Sequence, residues 1–336
     1  MCGVMAEKPK VSVIIANWNG AKHLRLCLPS LASQSYKPLE IIVVDGCSCD
    51  DSAEVARSHG VRWLPLEKNL GLAPSLNRGA MIAKGDLLLF ANNDMRFDPR
   101  FVAALVEPLE EDDEIFATDG MQFSWDGTIR GHLAARLRNF RRRPDYSTEL
   151  VPGLYFYQQE KTDRSPVFMA SAACMMVRRT FFEELGGFDD RLPLGYEDVE
   201  ICWRAWVHRR KTLYVPGAIC WHHVGGSVRS LEAERFAFRG VLKGRLLFAT
   251  ELLPIPYIFL TWLVSTAGLA KDLSRLRWKF ARDRIGVLLY MAGLTLQLLR
   301  ERRVLFRNAN RSPEEQLEFL LRLTDEDVPA NRGDQA

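Results

Sequence analysis

Residues Gly85–Arg100 read Gly-Asp-Leu-Leu-Leu-Phe-Ala-Asn-Asn-Asp-Met-Arg-Phe-Asp-Pro-Arg. Leu87 to Ala91 is a continuous apolar run bounded by Gly85-Asp86 and by Asn92-Asn93-Asp94, the pattern of a strand buried on both faces. Ligands in open α/β sheets collect beyond the carboxyl ends of the strands, so Asp94 is placed to hold a hard divalent cation carrying a phosphorylated ligand. A plain turn is the competing reading, because Asn and Asp are turn formers.

Upstream, Val11 to Ala16 is a second β-branched run that breaks at Asn17-Trp18-Asn19-Gly20. Leu24, Leu28 and Leu31 then recur at helical spacing within Ala21–Ser35, and Ile41 to Val44 is a strand ending at Asp45. Asp51 or Ser52 can cap a helix through Arg57, Gly60 can end it, and Val61–Leu64 supplies a further strand. Between Asn69 and Gly85 a Gly- and Pro-opened helix leads into the strand at Leu87. This β-α-β-α-β alternation predicts a mainly parallel sheet flanked by helices. No Gly-x-Gly-x-x-Gly follows the first strand and there is no Walker loop, which disfavours dinucleotide oxidoreductases and P-loop kinases.

A chain of 336 residues, 47% apolar and 26% charged, can bury a proper core. Its formal charge of +3 gives no global field for nucleic acid. The seven cysteines form no Cys-x-x-Cys pair, and Met1 to Lys10 has no apolar core of the kind a secretory signal needs; both lead to the expectation of a cytoplasmic catalytic part.

The ordered motifs Val11–Gly20, Val43–Ser52, Asn69–Gly79 and Asn92–Asp94 together resemble family 2 glycosyltransferases of GT-A fold, rhamnosyltransferase-like members in particular, over roughly residues 10 to 250. The resemblance implies a nucleotide-sugar half over residues 10–119 and an acceptor half over 120–230. It implies that Asp45 contacts the nucleobase, with Ala16, Asn17, Asn19 and Ser48 lining the nucleotide and Asn93 beside them. Asn69 and Asn77 are further candidates, with turn or helix-packing roles competing. The last carboxylate of the family's Asp-x-Asp motif binds Mn²⁺ or Mg²⁺, and Asp94 matches it. Asn92 stands where the first Asp of that motif would be, so cation affinity here should lean more on the diphosphate itself.

In the second half, Gly120–Gly131 reads as a hairpin around Asp126-Gly127. Arg136–Arg164, with its Arg141-Arg142-Arg143 run, reads as a long charged loop that is solvated or meets anionic lipid or a diphosphate. Val167–Val177 reads as a strand and Arg178–Leu185 as a short helix. Val199, Cys202, Trp203 and Trp206 place Glu197 and Asp198 in the first turn of an amphipathic helix, where the dipole favours negative charge. The resembled family has a Glu-Asp pair here, one member of which deprotonates the acceptor hydroxyl; Asp198 is the preferred base, Glu197 the alternative. Arg204, farther along the helix, either reaches the diphosphate or pairs with a neighbouring acid. Thr212–Val215 and Ala218–Trp221 read as strands leading to His222 and His223, where the resembled family has its metal-side loop; His222 is favoured as a second ligand.

From Phe236 the composition shifts. Leu246–Ala270 and Ile285–Leu299 are apolar and flanked on both sides by basic residues, which argues against a crossing. The expectation is a C-terminal helical, membrane-associated extension over 231–325, interfacial or re-entrant, with a helical subdomain or oligomer interface as the alternative, then a frayed tail over 326–336. Ser312–Leu323 reads as a short capped helix. The function expected is inverting, metal-dependent transfer from a UDP- or dTDP-sugar, rhamnose included, to a lipid-linked or polysaccharide acceptor, in cell-surface glycan synthesis on the cytoplasmic face of the membrane. A nucleotidyltransferase and a catalytically silent membrane-associated scaffold are the competing readings.

Overall fold

The computed structural model describes residues 7–128, 130–132, 134–139, 147–192, 194–223 and 231–323. Its first half alternates as the apolar runs predict: β1 (Val11–Asn17), α1 (Ala21–Ala32), β2 (Leu39–Asp45), α2 (Ser52–Ser58), β3 (Arg62–Pro65), α3 (Leu72–Ile82) and β4 (Leu87–Asn92). Next come β5 (Met95–Phe97), α4 (Phe101–Glu111), β6 (Ile115–Ser124) and β7 (Arg130–His132). β8 (Ala134–Asn139), β9 (Ser147–Val151), β10 (Leu154–Gln159), β11 (Ser165–Pro166) and β12 (Met176–Arg178) follow. The chain continues through α5 (Arg179–Glu184), α6 (Glu197–Val207) and β13 (Lys211–His222) to α7 (Leu231–Leu252), α8 (Ile255–Ser274), α9 (Trp278–Arg307) and α10 (Pro313–Leu321).

The main sheet runs β11-β13-β6-β12-β4-β1-β2-β3, with β5 on β13 and β7 on β6. β1 sits between β2 and β4, parallel to both, so Ala16 is level with Val44 on one side and Asn92 on the other. The carboxyl ends of β1, β2 and β4 therefore open onto one edge. Val13, Ile14, Ile15, Leu88, Leu89, Phe90 and Ala91 have no exposed surface, as residues covered by helices on both faces must.

Four expectations change in the folded chain. Of the apolar run Val167–Val177 only Met176 and Val177 are strand, as the start of β12; the rest is a largely buried loop whose backbone is satisfied piecemeal, Val167 N on Thr212 O at 2.9 Å and Phe168 N on Ala135 O at 3.2 Å. The charged stretch Arg136–Arg164 holds a small antiparallel sheet, β8-β10-β9, with Phe156 packed against Phe168; Arg141, Arg142 and Arg143 lie outside the described residues. The two strands split by Pro216-Gly217 are one strand, β13, carrying a bulge between Val215 and Ile219. Leu246–Ala270 breaks at Leu253-Pro254. Its first part, Leu246 to Leu253, is buried almost completely, with Phe248 edge-on to Trp203 of α6 at 5.1 Å. No described helix is long and apolar enough to cross a membrane.

Candidate active site

A continuous line of side-chain hydrogen bonds crosses the open edge of the sheet. Asp45 accepts from Asn17 Nδ2 at 2.8 Å, from Ser48 Oγ at 2.5 Å and from the Ser48 amide at 2.8 Å. Asn17 Oδ1 in turn accepts from Asn93 Nδ2 at 2.8 Å. Asn19, held at φ 49, donates its amide to Ser48 Oγ at 2.7 Å and accepts the Cys49 amide at 2.8 Å. Asp45, Asn17, Asn19, Ser48 and Asn93 thus form one unit joining the ends of β1 and β2 to the turn after β4. Gly20 is enclosed by that unit; a Cβ there would lie 2.2 Å from Asn93 Nδ2 and 2.3 Å from Asn17 Oδ1.

Asp94 follows in the same turn. Its Oδ1 is buried, accepts no well-directed hydrogen bond and faces His222 Nε2 at 3.2 Å. β5 and the end of β13 bring the two together, with His222 paired to Met95 and the His223 amide donating to Asp94 O at 3.0 Å. A buried carboxylate oxygen left without a donor is costly, and an imidazole nitrogen opposite it makes a two-residue seat for a cation. Among the described residues no cluster of three or more His, Cys, Asp or Glu side chains could hold a metal, so a cation here would take its other ligands from elsewhere. Beside the pair opens a cleft of about 230 Å³ lined by Lys22, His23, Leu26, Asp94, Trp125 and His223. Burial holds His23 below the ordinary imidazole range, against the pull of Asp94. Sequence reasoning missed His23 and Trp125; only His23, in the first turn after the Asn17–Gly20 loop, carried a positional signal.

The acid pair starts α6. Tyr196, at φ 72, turns the chain into the helix. Glu197 points inward: it is buried, its Oε2 has no partner among the described residues, and burial, then the neighbouring Asp198, push its carboxyl up to about 8. Asp198 is half-buried, with Oδ2 3.3 Å from the Ala172 amide and Oδ1 2.8 Å from the Val199 amide. The next residue, Ala173, offers its carbonyl to the Asn92 amide at 3.1 Å. The Ser171–Cys174 turn, read from sequence as strand, therefore ties the start of α6 to the end of β4, two residues before Asp94.

Two expected nucleotide contacts, Arg204 and Asn77, are engaged elsewhere. Arg204 is largely enclosed: its guanidinium pairs with Glu200 and donates to the carbonyls of Leu185 and Gly187, which commits it to the α6 packing. The local carboxylate on the same helix, one turn back, captures it. Asn77 spends its amide on the Phe188 backbone and on Asp190 Oδ1 at 2.7 Å, joining α3 to the Gly187-Phe188 turn. Asn69 is exposed beside Gly46, where a Cβ would lie 3.3 Å from its Cα, and it accepts from the Gly71 amide at 2.9 Å at the entry to α3.

Known proteins were compared with this chain by sequence and by structure. The family model described as glycosyl transferase family 2 matches residues 12–186. The N-acetylglucosaminyl-diphospho-decaprenol L-rhamnosyltransferase of Mycobacterium tuberculosis is 29% identical over 237 residues, covering 63% of this chain and 75% of that protein. Among solved structures, GalNAc-T7 with UDP, GalNAc and Mn²⁺ superposes with a TM-score of 0.57 at 21% identity, over 83% of this chain and 55% of its own. Staphylococcus aureus TarS 1–349 in complex with UDP-GlcNAc superposes with a TM-score of 0.52 at 15% identity, over 90% and 93%. At those identities the two superpositions show the GT-A fold.

Proposed function

The chain belongs to glycosyl transferase family 2, and from that premise we propose that it carries a sugar from a nucleoside diphosphate sugar to a hydroxyl of a lipid-linked acceptor, with inversion at the anomeric carbon. The name of the mycobacterial relative supports a rhamnose donor and a diphosphate-linked polyprenol acceptor. A UDP- or dTDP-sugar fits the donor, and Mn²⁺ suits the mixed carboxylate and imidazole pair of Asp94 and His222 better than Mg²⁺ does.

In this reading Asp45, Asn17, Asn19 and Ser48 form the wall against the nucleoside, and Asn93 couples that wall to Asp94. Asp94 and His222 would hold a divalent cation, whose charge would offset the negative charge developing on the departing diphosphate. Asp198 takes the proton of the acceptor hydroxyl as the new bond from that oxygen to the anomeric carbon forms and the bond to the diphosphate breaks. Glu197, kept protonated by burial, adds no second negative charge beside the base. The buried loop linking Asp198 to Ala172, and Ala173 to Asn92, carries this reading, because it couples the base to the strand end that bears Asp94.

The flanking helices support peripheral attachment to the inner face of the cell membrane. Phe259 and Leu263 on α8 are 72% and 66% exposed, and Leu289 and Leu296 on α9 are 69% and 72% exposed. Such residues, with the basic residues around them, suit a headgroup region. Asp198→Asn tests the mechanism: transfer should fall by about 10² to 10⁴ while nucleotide affinity stays the same. Undiminished transfer would remove Asp198 as base.

A further inference from the structure

A groove of about 400 Å³ lies between α7 and α9 and shares no lining residue with the Asp94 cleft. Its walls combine two chemistries. Arg239, Lys243 and Arg282 bring positive charge, while Phe236 and Tyr290 present rings that are 40% and 45% exposed. The groove's one carboxylate among its described lining residues, Asp283, is already taken: Arg235 grips it with hydrogen bonds of 2.6 and 2.7 Å, and Arg239 lies 3.3 Å away. Lys243 has its ammonium 4.4 Å from the Tyr290 ring centre, and among the described residues neither it nor Arg282 is paired with an acid. Uncompensated cations beside exposed rings suit an anion with an apolar chain attached.

The groove also adjoins the turn that delivers the base. Gly240, in its wall, packs so closely on Leu194 that a Cβ would come 2.6 Å from the Leu194 carbonyl oxygen. One turn on, a Cβ at Gly244 would meet the Tyr196 ring at 2.7 Å. Tyr196 immediately precedes Glu197 and Asp198. Ile285 and Leu289 of α9, 43% and 69% exposed, follow Arg282 at helical spacing and add exposed apolar surface next to Gly286 and Tyr290 of the wall.

We infer that this groove binds the diphosphate of a polyprenyl-diphosphate-linked acceptor. Arg239, Lys243 and Arg282 take the phosphate oxygens, Phe236 and Tyr290 take the first isoprene units, and the sugar on the diphosphate points along Leu194–Tyr196 towards Asp198. This rests on the acceptor class proposed above and assigns it a place. A general attraction to anionic bilayers would use the same cations without distinguishing the headgroup, so the experiment separates the two sources of charge.

The full chain and its Lys243→Gln/Arg282→Gln variant are floated with three kinds of phosphatidylcholine vesicle: plain, doped with polyprenyl diphosphate, and doped to equal charge with phosphatidylglycerol. The variant should bind the polyprenyl diphosphate vesicles about tenfold more weakly and the other two within about twofold of the wild-type value. Equal loss on both anionic vesicles, or no loss on either, overturns the assignment. The single variants replace the double one if its melting temperature falls. Nucleotide-sugar binding is measured in parallel. Selective vesicle binding by a protein that binds no nucleotide sugar would leave the groove standing and remove the transferase mechanism instead.

Discussion

Glu197→Gln separates the two acids at the start of α6. A glutamate in the unfolded chain gives up its proton near 4.5, whereas burial and Asp198 push the folded carboxyl up to about 8. The native state therefore keeps a proton that the unfolded state releases. Stability from this group is intact below about 4.5 and is lost as pH rises through about 8. At about 1.4 kcal/mol per tenfold change, ionising Glu197 within the fold costs at most about 5 kcal/mol, and a loss of about 2 kcal/mol by pH 9 is expected once the surroundings relax. Gln is neutral throughout and has nearly the shape of the protonated acid. The variant should match the wild type in chemical denaturation at about pH 4, below the unfolded value, and exceed it by about 2 kcal/mol at pH 9. Its transfer rate should stay within several-fold of wild type, because Asp198, not Glu197, reaches the half-buried side. Parallel stability curves across pH would show that Glu197 is not held protonated, and loss of transfer in Glu197→Gln with retention in Asp198→Asn would exchange the two roles.

Asp94→Ala should abolish the part of UDP or dTDP affinity that Mn²⁺ provides; calorimetry giving equal affinity in chelator, in Mn²⁺ and in the variant would exclude a metal at this site. Arg204→Met leaves Glu200 buried and unpaired, so unfolding free energy should drop by about 3 to 5 kcal/mol, with nucleotide affinity unchanged wherever the variant is folded. A selective fall in that affinity would return Arg204 to the diphosphate. Gly20→Ala forces Asn17 and Asn93 apart and should weaken nucleotide binding about tenfold at a stability cost of about 1 to 3 kcal/mol; titration at full affinity would show that the Asn17–Asn93 link is dispensable.

The elements that the chain states plainly are those whose burial is uniform. Val11–Ala16 and Leu87–Ala91 lie inside a sheet covered on both faces, so nearly every residue must be apolar and the run itself marks the strand. Val167–Met175 is just as apolar for another reason: it is buried as a loop, and the amides it spends on Thr212, Ala135 and Asp198 leave no mark in composition. The charged stretch after Arg136 misled in the opposite sense. Its strands are held by antiparallel pairing within a small sheet, with Arg138 lying 4.8 Å over the Tyr157 ring, so the alternation expected of a half-buried strand is blurred. Leu246–Leu253 has membrane-like composition because it is buried in the core, with Phe248 against Trp203 of α6.

Local chemistry was enough to propose Asp94 at a strand end, Asp45 at another, and an acid pair in the first turn of α6, since strand ends and helix starts are written in neighbouring residues. It preferred Asp198 to Glu197 and left Arg204 between a diphosphate and a neighbouring acid, but it could not show that Glu197 is buried or that Arg204 pairs with Glu200, because those outcomes depend on how α7 and the Gly187 turn pack around the helix. Nor could it bring His222 to within 3.2 Å of Asp94, or join Lys243 of α7 to Arg282 of α9 around one groove. Burial, charge state and cross-chain distance are properties of packed surfaces, and they exist only after the helices and the sheet have closed on one another.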